Sequence, residues 1–177
     1  MQKEFSIDFM KANCGCYSEK RLFACSFMKF PVVLLSDIVE SEIPLEHKYW
    51  FVCKKLLSSD ECRKVAICLA EIVLPIFEVR YPDDKRPLEA IEAAKSYLAG
   101  NSSTDFLEKK YAAAYAAAAD AVAANAVYAA NAAYAAAVAA NAYVAAANAA
   151  AAAAADAAAA DAAYRTKIMD YLRELCR

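Results

Sequence analysis

Between Tyr111 and Tyr164 the chain has 54 residues, and 37 of them are alanine. The rest are Tyr (111, 115, 128, 134, 143, 164), Asn (125, 131, 141, 148), Val (122, 127, 138, 144) and Asp (120, 156, 161); Lys, Arg, Gly and Pro are all missing. Alanine loses no side-chain entropy in a helix, so this composition commits the stretch to helix. It also buries little area per residue, so such a stretch cannot build a deep core alone. It lets helix backbones approach closely, with Tyr and Val as gap fillers. That describes a scaffold, not a reaction centre.

The non-alanine positions 122, 125, 128, 131, 134, 138, 141, 144 and 148 are three or four residues apart. Most of these steps fall short of a 3.6-residue turn, so the stripe winds around the axis and disfavours one straight rod. Two or three consecutive helices are expected, broken near Asp120 and near Asn141 or Asn148. Asn and Asp suit such breaks because their side chains compete for local backbone groups.

Upstream, residues 2–12 read as a short amphipathic helix and Asn13–Glu19 as a turn or loop. Val32-Val33-Leu34-Leu35 after Pro31 fits a buried strand or the first turns of a helix, and the lack of a following turn signal favours helix. A helix is expected over Leu45–Leu57, with Tyr49, Trp50 and Phe51 as core. The next has Ser59 or Asp60 as its cap and runs towards Phe77, with a kink or break at Pro75. Another starts with Asp84, Lys85 or Arg86 as cap and Pro87 at its first helical position, and stops at Gly100. Asn101–Asp105 caps the one after that, and Arg165–Arg177 forms a last amphipathic helix. The fold class is all-α. An N-terminal helical region (1–100) and an alanine-rich helical region (101–177) are expected to pack as one unit. Long alanine faces serve equally well within one chain or across a homodimer.

Twenty basic and 22 acidic residues give a net charge of −2. That is no basic nucleic-acid footprint, and direct nucleic-acid binding is not expected. Residues 121–155 are uncharged, but they contain four Asn and no Leu, Ile or Phe, so a membrane span is not expected. The first residues carry an acid and no apolar run, unlike a signal peptide. Seven cysteines (14, 16, 25, 53, 62, 68, 176) fit reduced thiols in a cytoplasm. Cys14, Cys16 and Cys25 lack paired-ligand spacing and have one histidine, His47, to help them, so no metal or other cofactor is expected. Two glycines leave no phosphate loop, and a single histidine with no supporting neighbours argues against a catalytic triad. Asp83 and Asp84 read as capping acids rather than an acid–base pair. An enzyme is not expected.

Several segments, in order, resemble the Imm-5-like immunity proteins of bacteria, prophages and phages. They are Cys62-Arg63, Val73-Leu74-Pro75-Ile76-Phe77-Glu78, Pro82-Asp83-Asp84-Lys85-Arg86-Pro87, Ala90-Ile91-Glu92-Ala93 and Gly100, followed by the alanine tract. The resemblance covers about residues 60–164. It departs from many members in having Asn and Tyr in the tail where they carry Arg and His. It implies an all-helical protein of the bacterial host cytoplasm that binds and neutralises a protein toxin or another effector, such as a host defence system. Glu78, Asp83, Asp84, Arg86 and Glu92 are the candidate binding residues. The Asp83–Arg86 turn is either part of the contact or, with Arg86 and Glu78 tying two helices together, structural. A sponge for a nucleotide-like signal, with Tyr and Asn lining a cavity between alanine helices, is the alternative.

Overall fold

The computed structural model describes residues 4–13, 31–44, 47–48, 51–52, 57–124, 126–140 and 162–175. Among these are seven helices and one short antiparallel strand pair, in the order β1 (Glu4–Ser6), α1 (Ile7–Asn13), β2 (Val32–Leu34), α2 (Leu35–Glu40), α3 (Ser59–Arg80), α4 (Arg86–Leu98), α5 (Thr104–Ala123), α6 (Val127–Ala139) and α7 (Ala162–Leu175). The protein is all-α apart from that pair.

Local signals explain most of the helix ends. The Ser58 hydroxyl accepts from the Glu61 N–H at 3.4 Å, while Glu61 accepts from the Ser58 N–H at 2.8 Å, a capping box that starts α3. The start is one residue earlier than expected, because only Ser58 has an acid three residues on that can close the box. Pro75 does not break α3. Val73, Leu74 and Phe77 around it are buried while Pro75 faces solvent, so packing of the inner face holds the helix through it. Lys85 is the cap of α4, with Pro87 at the second helical position.

Helix α4 ends in a Schellman motif: the Gly100 N–H donates to Tyr97 O and the Asn101 N–H to Ser96 O, both at 2.9 Å. Gly100 has φ +75°, the left-handed region that penalises a Cβ. A Cβ there would meet nothing within 4 Å. Gly100→Ala is therefore expected to cost about 1 kcal/mol from backbone strain alone, read as a lower urea midpoint with an unchanged slope. Ser103 then caps α5, accepting from the Phe106 N–H at 3.2 Å.

The alanine stretch does divide. Helix α5 ends three residues after Asp120, with the N–H of its cap Ala124 on Asp120 O, and α6 begins at Val127. Helix α6 stops at Ala139, next to Asn141; Asn141 and Asn148 lie outside the described residues. Within α6 and its cap, Ala129, Ala130, Ala132, Ala133 and every residue from 135 to 140 are buried. A helix apolar on all sides belongs inside, and α6 packs against α3, α4 and α5 together. The alanine stretch thus supplies the central helix, more than the scaffold layer its small side chains suggest. Its neighbours provide the bulk: Leu69, Val73 and Phe77 of α3, Ile91 of α4 and Leu107 of α5, all 1% exposed or less.

The N-terminal residues form a second, smaller cluster of Met10, Val33, Ile38 and Phe51, with Phe5 stacked on Phe9 and edge-on to Phe51. Val32–Leu34 is a strand, not the start of a helix. Two β-branched residues suit a strand, and it pairs with β1 in the register Glu4↔Leu34, Phe5↔Val33, Ser6↔Val32, which puts Val33 inside. Helix takes over at Leu35, where the Asp37 carboxylate accepts from the Leu34 N–H. Lys48 closes the other end of α2, donating to Val39 O and Ser41 O at 2.6 Å. Burial of that ammonium pushes its pKa down. Arg173 of α7 grips Glu40 through Nε and Nη2 at 2.7 and 3.0 Å and ties the C-terminal helix to this layer. Most of the helix expected over Leu45–Leu57, including Tyr49 and Trp50, and Cys14, Cys16, Cys25, Cys53 and Cys176 lie outside the described residues.

Candidate binding surface

The polar residues picked out from the sequence fall around α4. Asp84, in the turn before it, accepts from the Arg86 backbone N–H at 3.1 Å and satisfies one of the open donors of the first helical turn. Its two oxygens also take Arg86 Nε at 3.0 and 3.1 Å and Nη2 at 2.7 Å. The same Nη2 reaches Asp120 Oδ2 on α5 at 2.7 Å. Arg86 thus clamps the α3–α4 turn to the end of α5, and its partner across the fold is Asp120 instead of Glu78. Two more pairs lace α4 to its neighbours: Lys110 with Glu89 at 2.7 Å, and Lys95 with Glu71. Asp83 and Glu92 are exposed and Glu78 half-buried, and none of the three forms an ion pair with another described residue. Of the five candidates, the structure brings only Asp84 and Arg86 together.

The guanidinium beside Asp84 holds its carboxyl below the usual carboxylate range. A carboxylate depressed in the folded state stabilises fully above its unfolded pKa, and the contribution is lost as pH falls through the lower folded value. Arg86 is partly open to solvent, which limits the clamp to about 1 kcal/mol. Arg86→Ala is expected to lower stability by that amount at pH 7. The difference from wild type should shrink in acid below the ordinary carboxylate range; thermal melts at pH 7 and pH 2.5 measure it.

A different surface stands out in three dimensions. Large apolar side chains left in solvent include Val79 of α3 (87% exposed), Tyr115 and Val122 of α5, and Val127 and Tyr128 (47% exposed) of α6. All of these but Val79 line two open grooves beside the first turns of α6. One, about 270 Å³, lies between α3 and α6 and is lined by Ile76, Arg80 and residues 126–129. The other, about 360 Å³, lies between α5 and α6; Tyr115, Val122, Asn131 and Tyr134 wall it over an alanine floor. The rings of Tyr111, Tyr115 and Tyr134 form a chain, with centroids 6.1 and 5.8 Å apart. Exposed tyrosine beside aliphatic side chains and arginine is the composition of protein-contact hot spots.

The sequence favours the six tyrosines as packing, with a cavity lined by Tyr and Asn as the alternative. Tyr134 and Tyr111 do pack on the core, but Tyr115 and Tyr128 face outward. The signal was there: four of the non-alanine positions, Tyr115, Val122, Asn131 and Tyr134, share one groove. Among the described residues no group of acidic, histidine or cysteine side chains could hold a metal ion, and no helix is long and apolar enough to cross a membrane.

Compared with known proteins, residues 57–175 match the family model described as Imm-5 like putative immunity protein. No curated protein and no solved structure matches the chain. The matched segment contains α3 to α7, including both grooves and the Arg86 clamp.

Proposed function

Because the chain belongs to the Imm-5 like putative immunity protein family, we propose that it acts by binding, without catalysis, and neutralises a protein toxin or defence effector. The effector belongs to the bacterial cytoplasm in which the chain would work. A phage-encoded inhibitor of host defence, an anti-CRISPR for example, is the same activity turned against the host. The observation that carries this reading is the family match over most of the helical bundle. The exposed aromatic face on α3, α5 and α6 supports it, because it offers a contact surface. Neutralisation by occlusion needs a rigid surface and a few buried anchors, not a catalytic group.

The test is capture with the tagged full chain from cells that make it, followed by co-expression. A single stoichiometric protein whose toxicity is suppressed when the chain is co-expressed supports the reading. A clean protein lane with a co-purifying nucleotide overturns it in favour of a sponge. The groove walled by Tyr115, Asn131 and Tyr134 is where such a ligand would have to stack.

A further inference from the structure

We propose that the face at the start of α6, with the outer edges of α3 and α5, is the surface that grips the protein partner. Its occupant is a partner segment with an aromatic or aliphatic side chain two positions from a carboxylate. This rests on the reading that the chain binds a protein, and it moves the contact away from the Asp83–Arg86 turn.

The grooves themselves supply the argument. Among the described residues, Arg80 is the only charged side chain lining either of them. It is exposed and forms no ion pair with another described residue. Glu78 lies two residues away on the same helix, about 200° round the axis, so it does not offset Arg80. Asp120 of α5 is committed to Arg86. The first turn of α6 has no side-chain cap and no acid, which leaves the positive end of its dipole uncompensated in the groove that holds Arg80. One end of the face is therefore apolar and positive.

The other end is aromatic and neutral. Asn131 is half-buried and lines the same groove as Tyr115 and Tyr134, and no other described residue hydrogen-bonds its amide. Two rings, a valine and a free amide suit an anchor side chain whose neighbouring peptide group bonds to the amide. Val127 lines the first groove and Asn131, one turn later, the second, so the grooves are offset by roughly 5–6 Å along α6. Side chains two residues apart on an extended segment are separated by roughly 7 Å, enough to cover that axial offset.

A second copy of this chain fits the face less well. A two-fold contact would set Arg80 and the positive end of α6 against their own kind, with no acid in either groove.

The test uses the full-length, nitrogen-15-labelled chain and three blocked pentapeptides. The first is serine–phenylalanine–serine–aspartate–serine; the second has lysine in place of the aspartate, and the third has glycine in place of the phenylalanine. The expected result is saturable amide shifts confined to residues 76–80, 115–122 and 127–134, with a Kd on the order of 1 mM for so small a probe. The lysine and glycine peptides should bind at least tenfold more weakly. Arg80→Glu should weaken the aspartate peptide tenfold with an unchanged melt.

Equal binding of the lysine peptide, shifts elsewhere, no saturation by 10 mM, or indifference to Arg80→Glu would overturn the proposal. So would the same shifts on concentrating the chain alone, which would identify a second copy as the occupant. A separate arm keeps the two readings apart. If the double variant Arg80→Glu/Tyr128→Ala still suppresses the captured toxin, this face is not the contact, while the immunity reading stands.

Discussion

Exchanging Ala133 and Ala136 together for leucine is expected to destabilise the bundle by about 3–6 kcal/mol and lower Tm by roughly 10 °C or more. Both alanines are fully buried in a helix enclosed by three others. Leucine is a good helix former, so intrinsic propensity hardly changes and packing alone is tested. The extra methyl groups have no void to enter. Either the helices move apart, losing contacts elsewhere, or the new side chains take strained rotamers. The matched control is Ala116→Leu on the exposed side of α5, expected to stay within about 0.5 kcal/mol of wild type. Equal melts for the two would mean that α6 is not in the middle.

The second large effect comes from the opposite change. Phe77→Ala should cost about 3–5 kcal/mol, because the ring is 1% exposed and packs against Tyr81 at a centroid distance of 5.0 Å. Alanine-rich neighbours make the loss harder to repair: the buried positions of α6 are alanines and Val138, too short to fill the cavity. Guanidinium unfolding should show a lower midpoint at constant slope. Val79→Ala, two residues along the same helix, should leave stability unchanged because Val79 is in solvent. If Val79→Ala destabilised as much as Phe77→Ala, the facing of α3 described above would be wrong.

Helix ends were legible because short-range chemistry sets them. Pro87, Gly100 and Ser103 each act where the sequence puts them, through fixed φ, a left-handed turn and a hydroxyl cap. The facing of the alanine helices was not legible. When nearly every position is the same small residue, no stripe distinguishes inside from outside, and α6 shows none. Tyr111 and Tyr115 are one turn apart on the same helix, yet the first packs on the core and the second is in solvent. Tertiary partners were equally hidden. Arg86 finds Asp120 34 residues away, and β1 finds β2 across a gap no local pattern spans. Asp120 read as a helix-breaking residue; its carbonyl does accept at the end of α5, but its carboxylate holds the clamp. The candidate residues came from a family resemblance, which put Asp84 and Arg86 in one segment but held no sign that Arg86 pairs with Asp120.

The grip of Arg173 on Glu40 spans 133 positions, whereas α5 packs on α4 and α6, its neighbours along the chain. Closing a loop costs entropy that grows with its length, so contacts between chain neighbours form first and the most distant last. Folding would start in the hairpins around α6, and the N-terminal layer and α7 would join at the end. Unfolding fluctuations run the other way. The seam between the first and last described elements is then the first to open, leaving the segment that carries both grooves closed for longest.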